Sequence, residues 1–167
     1  MADTPHRDKT LAPLCCAVIT VSDTRTIETD HSGRLIRERL ESAGHCVSSY
    51  EIIPDEPHRI GERIRALCEV GTCHVVFVTG GTGLAWRDTT YEAVTGVLDK
   101  RLDGFGELFR MLSFQEIGPA AMLSRAAAGI RGQTAIFSLP GSPAAVQLAL
   151  ERLILPQLGH IAWLLRS

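Results

Sequence analysis

The sequence contains few lysines and no large excess of charge of either sign. Two lysines stand against fifteen arginines, and the formal net charge of the 167 residues is −2. A protein that binds a long stretch of nucleic acid, or lies on an anionic membrane, normally shows a basic excess. The composition therefore predicts no nucleic-acid partner and no membrane partner. Arginines that converge locally can still bind a phosphate or a carboxylate through their fork of N–H donors.

The five cysteines are an odd number and form no Cys-x-x-Cys pair. The lack of paired ligands argues against a zinc site, and the mostly apolar neighbours of the cysteines favour buried free thiols in a reducing compartment. No apolar run approaches the length of a membrane span, and the polar first twelve residues are unlike a signal peptide. We therefore expect a cytoplasmic protein.

Several common catalytic and nucleotide-binding motifs are also missing. No Gly-Lys-Ser/Thr follows the glycines, as it does in a Walker A loop, and no Gly-x-Gly-x-x-Gly dinucleotide motif is present. No local Ser/His/Asp or Cys/His arrangement stands out, so covalent nucleophilic catalysis is not predicted.

The sequence does contain short apolar runs that alternate with segments of helical periodicity. This alternation predicts an α/β fold, a three-layer α/β/α sandwich with a mostly parallel central sheet. One domain is expected over residues 14–167, after a flexible N-terminal segment of residues 1–13. The runs 15–21, 47–53, 75–78 and 134–139 are predicted strands; segments 32–43, 57–71, 89–98, 106–114, 120–128 and 144–165 are predicted helices, the last broken or kinked at Pro156.

Polar segments follow four of the predicted strands, and ligands of such sheets bind outside the carboxyl ends of the strands. The segments are Ser22-Asp23, residues 54–56, residues 80–88 and residues 139–143. We expect these four segments to converge on one site.

The segment "VTGGTGLAWRD" carries three glycines directly after a strand. Glycines allow backbone N–H groups to approach an anion closely, and Thr79 and Thr82 add hydroxyl donors. One interpretation is a phosphate or pyrophosphate cradle. The other is a tight strand-to-helix turn without a ligand.

Two aspartates, Asp55 and Asp88, each follow a strand end. Either residue can simply stabilise a turn or cap a helix. Next to bound phosphates, however, carboxylates are costly unless a cation intervenes, and Mg²⁺ held by one or two carboxylates and by substrate phosphates resolves that conflict. Asp23 and Asp30 are weaker candidates for the same role, and either can instead simply cap a helix or be solvated. Arg87, Arg110 and Arg125 are candidates for neutralising phosphate.

Seven separated motifs, taken together, resemble the MoaB/MogA family of molybdenum cofactor biosynthesis proteins, and the MoaB branch in particular. The likeness extends from Ala17 to about Leu158. The motifs are "TVSDTR" at Thr20, "DHSG" at Asp30, "IPDE" at Ile53, "VTGGTGLAWRD" at Val78, "DGFGELFRMLSFQEIG" at Asp103, "LSRAAAG" at Leu123 and "SLPGSP" at Ser138.

The resemblance implies an enzyme that uses Mg²⁺ and ATP to adenylylate molybdopterin, with release of pyrophosphate. It places the family's two catalytic and metal-holding acids on Asp55 and Asp88. It also implies a homo-oligomer, a trimer or a hexamer, with the molybdopterin-synthesising and metal-inserting proteins as further candidate partners. Residues predicted to bind substrate or nucleotide, from the strand-end segments and the resemblance together, are Ser22, Asp23, Ser32, Gly33, Thr79, Gly80, Gly81, Thr82, Gly83, Arg110, Ser113, Ser138, Pro140, Gly141 and Ser142.

Three other functions remain compatible with the sequence. The same fold can serve as a carrier that binds molybdopterin without turning over ATP, or as a scaffold with a vestigial site. A phosphoacceptor receiver domain built around Asp23 is a third possibility, but no lysine late in the chain supports it.

Overall fold

The computed structural model describes residues 9–167 and contains one six-stranded sheet with helices on both faces. The elements in chain order are β1 (Cys15–Val21), α1 (His31–Ser42), β2 (Cys46–Ile53), α2 (Pro57–Glu69), β3 (Val75–Thr79), α3 (Thr90–Thr95), β4 (Lys100–Arg101), α4 (Asp103–Ile117), a 3₁₀ segment (Gly118–Leu123), β5 (Ala127–Arg131), β6 (Thr134–Leu139), α5 (Pro143–Ala149), a π-helical turn (Leu150–Ile154) and α6 (Leu155–Leu164).

The strand order is β2-β1-β3-β6-β5-β4. The first four strands pair in parallel, and β5 and β4 are added antiparallel at one edge. Every residue of β3 and β6 is buried, which explains their continuous apolar character, because a parallel strand covered on both faces needs apolar side chains on both. The mostly parallel α/β sandwich predicted from the sequence is confirmed.

Two apolar layers hold the helices to the sheet. On one face, Ile36 and Leu40 of α1 pack with Phe105 and Phe109 of α4 and with residues of the last two helices. On the other face, α2 and α3 pack against the reverse sides of the same strands. Each fully buried side chain of this size contributes about 1.5–3 kcal/mol through its removal from water. These two layers fix the sheet and therefore the positions of the loops at its edge.

Residues 120–128 were predicted to be helical, and that prediction was wrong. The first part forms the 3₁₀ segment, and Ala127–Arg131 forms strand β5. Alanine favours helices in isolation, but here Ala126, Ala127 and Ala128 are all buried, and Ala126 and Ala128 pack in the core layer that contains Phe105 and Phe109 of α4. At Gly129 a Cβ atom would lie less than 3.0 Å from the Lys100 carbonyl oxygen, so the edge strand β4 approaches too closely for any side chain.

The boundaries of three other helices also differ from the predictions. Helix α4 begins at Asp103, three residues before the predicted start, and α3 ends at Thr95. The C-terminal helical segment is interrupted by the π-helical turn, and Pro156 lies in the first turn of α6. Proline lacks the N–H that a continuous α-helix needs, so the wider turn before it relieves the conflict.

Only part of the predicted flexible segment 1–13 can be described, because residues 1–8 lie outside the structure's described range. In the described part, Leu11 N–H donates to the Gly159 carbonyl oxygen over 3.0 Å, and Leu11 packs against the core. Between residues 9 and 167, no helix has the length and apolar character needed to cross a membrane.

Candidate active site

Four loops meet at the carboxyl edge of the parallel strands, as the sequence predicts. Gly80 N–H donates to the Leu139 carbonyl oxygen over 3.2 Å, and the Thr79 hydroxyl donates to the Pro140 carbonyl oxygen over 2.9 Å. On the other side, Asp55 N–H donates to Asp23 Oδ1 over 3.1 Å. Strand β1 lies between β2 and β3, so the chain continues from β1 to one side of the sheet and later to the other side. Ligands of open α/β sheets usually bind at the carboxyl edge of such a position.

The loop after β3, residues 80–88, presents a row of backbone N–H groups without acceptors. We call it the glycine loop. Gly80 and Gly81 have φ angles of 94° and 61°, which only glycine adopts readily. Within the described part of the chain, the consecutive N–H groups of residues 81–84 donate to no protein acceptor. A concave run of free amides is a common anion-binding arrangement.

Both predicted catalytic acids touch the glycine loop. A Cβ atom at Gly81 would lie less than 3.0 Å from Asp55 Oδ2 and from the Thr90 hydroxyl. A Cβ atom at Gly83 would lie 2.5 Å from Asp88 Oδ2. The loop is therefore glycine-rich for two reasons, its backbone angles and the close approach of the two carboxylates.

Asp55 is held firmly through one of its carboxylate oxygens. The side chain is buried, and Oδ1 accepts from the Thr89 hydroxyl over 2.6 Å and from Thr89 N–H over 3.2 Å. Thr89 is the N-cap residue of α3, but its hydroxyl binds Asp55 and makes no capping hydrogen bond to the helix. No donor among residues 9–167 bonds to Asp55 Oδ2, and the neighbouring buried Thr90 hydroxyl also has no partner. Two oxygens beneath Gly81 thus remain available to a cation or a water molecule.

Asp88 is half-buried at the far end of the loop, where its Oδ2 accepts from Ala85 N–H over 3.1 Å. Within residues 9–167, no three His, Cys, Asp or Glu side chains form a group that could hold a metal ion by themselves. The acid donors that lie against the glycine loop are the carboxylates of Asp55 and Asp88. That donor set fits Mg²⁺, which usually keeps waters and binds one or two carboxylates together with phosphates.

Two cavities flank the glycine loop. The β1 cavity, of about 300 Å³, lies on the side of Thr20, Ser22, Arg25 and Asp30. The α4 cavity, of about 430 Å³, lies between the loop, α4 and the 3₁₀ segment. Gly141 lines both, so the cavities meet at the loop after β6. Their sizes suit small-molecule ligands.

Most residues predicted from the sequence to bind ligand line these two cavities. Ser22, Ser32, Thr79 and Gly80 line the β1 cavity, and Gly81, Thr82, Gly83, Asp88, Ser113, Pro140 and Ser142 line the α4 cavity, with Gly141 in both. Asp23 lies nearby, where it joins the loop after β1 to residues 55 and 87.

Three predicted residues lie elsewhere. Ser138 is completely buried in β6, and Gly33 is buried in α1 against Asp30. The Arg110 side chain runs back along α4 toward Gly106 and lines a separate cavity of about 220 Å³. Side chains on a helix lean toward its N-terminus, and the long Arg110 side chain extends much further in that direction than the short Ser113 side chain. The two residues therefore reach different cavities despite their spacing of three residues.

Arg125, which the sequence suggested as a phosphate-neutralising residue, binds protein carbonyl groups instead. Its guanidinium donates to the carbonyl oxygens of Thr82, Gly83 and Asp88 and pairs with the Glu92 carboxylate. Thr90 and Arg25 were not predicted as site residues at all. The expectation that ligands bind directly after strand ends could not select Arg125, Thr90 or Arg25, because none of them directly follows a predicted strand.

The Asp23 carboxylate links two loops and is already engaged. The Arg87 guanidinium, with Nε 2.8 Å from Asp23 Oδ2, lowers the pKa of Asp23, and the N–H of Asp55 lowers the pKa further. Because both oxygens accept hydrogen bonds, Asp23 serves as a bridge between loops. This arrangement disfavours the phosphoacceptor role considered from the sequence.

Asp30 is a structural acid at the base of the β1 cavity. It caps α1 by accepting from Gly33 N–H over 2.9 Å, and its other oxygen accepts from the Thr20 hydroxyl over 2.5 Å and the Tyr50 hydroxyl over 2.7 Å. The side chain is only 2% exposed. Capping, one of the two roles considered for Asp30 from the sequence, is therefore confirmed.

We expect Asp30→Ala to lower the free energy of unfolding by roughly 3 kcal/mol, since it removes a cap and leaves two buried hydroxyls without an acceptor. Urea unfolding followed by circular dichroism measures the change. The matched control is Glu41→Ala, an exposed acid of α1 with no side-chain hydrogen bond or ion pair among residues 9–167, for which less than about 1 kcal/mol is expected. Equal losses in both variants would contradict this role of Asp30.

The fold and the site together define a class of α/β domain whose strand-end loops combine free amides with two carboxylates at one edge of the sheet. The comparisons with known proteins agree on which domain this is. Residues 17–160 match the family described as "Probable molybdopterin binding domain". The chain belongs to this family and, within it, to the MoaB branch of the MoaB/MogA proteins of molybdenum cofactor biosynthesis.

Relatives and solved structures support this assignment over nearly the whole chain. The molybdenum cofactor biosynthesis protein B of Halalkalibacterium halodurans is 52% identical, with 93% of this chain and 92% of that protein covered, and that of Bacillus subtilis is 50% identical with the same coverage. A crystal structure of a molybdenum cofactor biosynthesis protein B superposes with a TM-score of 0.90 at 51% identity, covering 93% and 99% of the two chains. The tungsten cofactor synthesising protein MoaB of Pyrococcus furiosus gives 0.81 at 40% identity, covering 94% and 99%.

Proposed function

We propose that this protein is a molybdopterin adenylyltransferase. In this reaction it takes molybdopterin and Mg-ATP as substrates and forms adenylyl-molybdopterin and pyrophosphate. The observation that carries the proposal is the row of free N–H groups at residues 81–84, placed between Asp55 and Asp88. Free amides favour phosphate and carboxylates oppose it, so the two together indicate phosphate accompanied by a cation.

The reaction needs little acid–base catalysis. A phosphate oxygen of molybdopterin attacks the α-phosphorus of ATP, and the bond from that phosphorus to the oxygen bridging to the β-phosphate breaks. Pyrophosphate leaves with the bonding electrons. The attacking phosphate is already ionised at neutral pH, so no base has to remove a proton. The barrier is the approach of two anions, which positioned amides and cations lower.

Asp55 and Asp88 are the residues that would hold Mg²⁺. Asp55 Oδ2 has no donor among residues 9–167, and the unpartnered Thr90 hydroxyl lies beside it beneath Gly81, which fits this role for Asp55. When bound, the ion supplies positive charge to the phosphates as charge moves onto the leaving pyrophosphate. The chain itself contributes orientation. Thr89 fixes the Asp55 carboxylate, and Ala85 N–H fixes that of Asp88.

The two cavities provide separate places for the two ligands. They meet at Gly141 and at the glycine loop, so that the phosphates of a pterin in one cavity and of a nucleotide in the other approach each other there. The α4 cavity has apolar walls at Phe109, Ile117 and Leu123, which suit a planar ring.

The direct test mixes the purified protein with molybdopterin and Mg-ATP and measures released pyrophosphate. Release at many times the rate without protein, dependent on both molybdopterin and Mg²⁺, is the expected result. Tight molybdopterin binding without pyrophosphate release would instead establish the carrier function. Absence of any thermal stabilisation by either ligand would indicate a scaffold with a vestigial site.

We also propose a homo-oligomer, a trimer or a hexamer, in which subunits pack through α4 and the segment after it. Monomeric proteins rarely leave many large apolar side chains exposed in one region of the surface. The continuous segment from residue 108 to residue 123 carries six exposed large apolar side chains, and we call this surface the α4 face; they are Leu108, Met111, Phe114, Ile117, Met122 and Leu123.

Phe114→Glu is expected to dissociate the oligomer, because it places a charge in the middle of the α4 face. Sedimentation at micromolar concentration should show the monomer for this variant and a larger assembly for the unaltered chain. The control is Val70→Glu, which replaces an exposed apolar residue outside that face and should leave the assembly intact. An unchanged mass for Phe114→Glu would show that subunits meet elsewhere.

A further inference from the structure

Arg125 lies beneath the glycine loop with its guanidinium turned toward the loop's own backbone. Nε donates to the Thr82 carbonyl oxygen over 2.9 Å, and Nη2 donates to the carbonyl oxygens of Gly83 over 2.6 Å and Asp88 over 3.2 Å. The side chain is 22% exposed. Three carbonyl groups from both ends of the loop thus converge on one cation.

Two neighbours hold the guanidinium in this position. Nη1 donates to the Glu92 carboxylate, and the guanidinium lies over the Tyr91 ring, with 5.0 Å between its central carbon and the ring centroid. Both neighbours belong to α3, which directly follows the glycine loop. Arg125 itself lies just before β5. The residue therefore joins the glycine loop to the antiparallel edge of the sheet.

These contacts fix the direction in which the loop's N–H groups point. In a planar trans peptide the carbonyl group and the following N–H point in opposite directions. A Thr82 carbonyl directed at Arg125 therefore turns Gly83 N–H away from it, and the Gly83 carbonyl does the same for Leu84 N–H. The Asp88–Thr89 peptide behaves in this way, since its carbonyl binds Arg125 and its N–H binds Asp55 on the other side.

We propose that Arg125 is a positioning residue that aims the N–H groups of Gly83 and Leu84 at the phosphates of the bound nucleotide. The proposal rests on the adenylyltransferase function and deepens it. Arg125 acts through the loop backbone and does not contact the phosphate. Three carbonyl groups and one carboxylate are bound by a planar fork of five N–H donors, and the single ammonium group of lysine cannot reproduce that pattern.

The central experiment measures Mg-ATP affinity by calorimetry in Arg125→Lys. This variant keeps the charge but loses the fork, and a rise in the dissociation constant of roughly thirtyfold is expected, the scale of losing hydrogen bonds to a charged group. Arg131→Lys is the matched control. Arg131 is the last residue of β5, the strand that Arg125 precedes. It donates to the Val97 carbonyl oxygen over 3.0 Å and lies near Asp99, away from the glycine loop. Its affinity should stay within about threefold of the unaltered protein.

A second measurement reports the mobility of the glycine loop in the absence of any ligand. In ¹⁵N relaxation of the free protein, the amides of residues 81–84 should gain fast motion in Arg125→Lys and not in Arg131→Lys. Rigid amides in Arg125→Lys would overturn the proposal, and so would unchanged Mg-ATP affinity. If the unaltered protein binds no Mg-ATP while the loop still loosens, the adenylyltransferase function fails and the positioning role of Arg125 on the loop stands.

Two further variants separate positioning from simple stabilisation. Arg125→Ala should recover part of its Mg-ATP affinity in millimolar guanidinium chloride but not in sodium chloride of the same concentration. Glu92→Gln removes the charge but keeps a side-chain oxygen that can accept from Arg125 Nη1, and it leaves the three carbonyl contacts in place. This variant should bind Mg-ATP within about threefold of the unaltered protein. A loss in Glu92→Gln as large as in Arg125→Lys would assign the effect to the ion pair and overturn the proposal.

Discussion

Replacing Asp88 by asparagine is expected to slow pyrophosphate release by several hundredfold and to leave molybdopterin affinity within about threefold. Asparagine has nearly the same shape, and its side-chain oxygen can still accept the Ala85 N–H that Asp88 Oδ2 accepts over 3.1 Å. The glycine loop should therefore keep its conformation. Only the negative charge that we propose to hold the cation against the phosphates is lost.

The rate is measured by coupled detection of pyrophosphate, and molybdopterin binding by fluorescence titration of the same preparation. Asp99→Asn serves as the control, because this exposed acid binds Gly132 N–H at the turn between β5 and β6. The rate of pyrophosphate release by the Asp99→Asn variant should equal that of the unaltered protein. Turnover that survives Asp88→Asn would show that this carboxylate does not place the cation, even if the protein proves to be an adenylyltransferase.

Gly81→Ala is expected to weaken Mg-ATP binding by more than about a hundredfold. A methyl group there would lie less than 3.0 Å from Asp55 Oδ2 and the Thr90 hydroxyl, and the φ angle of 61° is itself unfavourable for alanine. Either the loop or the carboxylate has to move. Both movements separate the free amides from the acid that is proposed to hold the cation.

Gly132→Ala separates the two effects expected in Gly81→Ala, the steric overlap of the methyl group and the backbone strain. Gly132 has a similar φ angle of 55°, but no atom lies within 4 Å of its added Cβ, and it lies in the turn between β5 and β6. This control should lose about 1 kcal/mol of stability and no Mg-ATP affinity. Calorimetry on both variants makes the comparison. Equal affinities would mean that the space beneath Gly81 does not matter for binding.

The parallel part of the sheet could be predicted from the sequence because its physical signal is local. Strands buried on both faces have continuous apolar sequences, and Gly44 and Gly71, with φ angles of 84° and 73°, end the first two helices where glycine was expected to do so. Once the strands are parallel, their carboxyl ends must share one edge. The gathering of the loops around Asp55 and Asp88 follows from that geometry.

The antiparallel edge could not be predicted because its signal is not local. Residues 127 and 128 are alanines whose helix propensity is outweighed by their burial in the sheet. Strand β4 has two residues and no apolar pattern. The position of Arg125 at this edge was therefore also hidden, and with it the contacts to the glycine loop.

The sequence also did not predict the direction in which some side chains point. Motif resemblance assigned Ser138 and Arg110 to the ligand site, yet the first is buried within β6 and the second faces a separate cavity. A motif fixes a residue's place along the chain, whereas packing decides which way the side chain points. Packing also decides the direction of Arg125, whose guanidinium binds the backbone of the glycine loop.

The most direct test of the account is a crystal structure of the protein with Mg²⁺, a non-hydrolysable ATP analogue and molybdopterin. We predict that phosphate oxygens accept from the N–H groups of residues 81–84 and that the ion lies about 2.1 Å from carboxylate oxygens of Asp55 and Asp88. A triphosphate bound away from the glycine loop, or an ion that contacts neither carboxylate, would contradict the account.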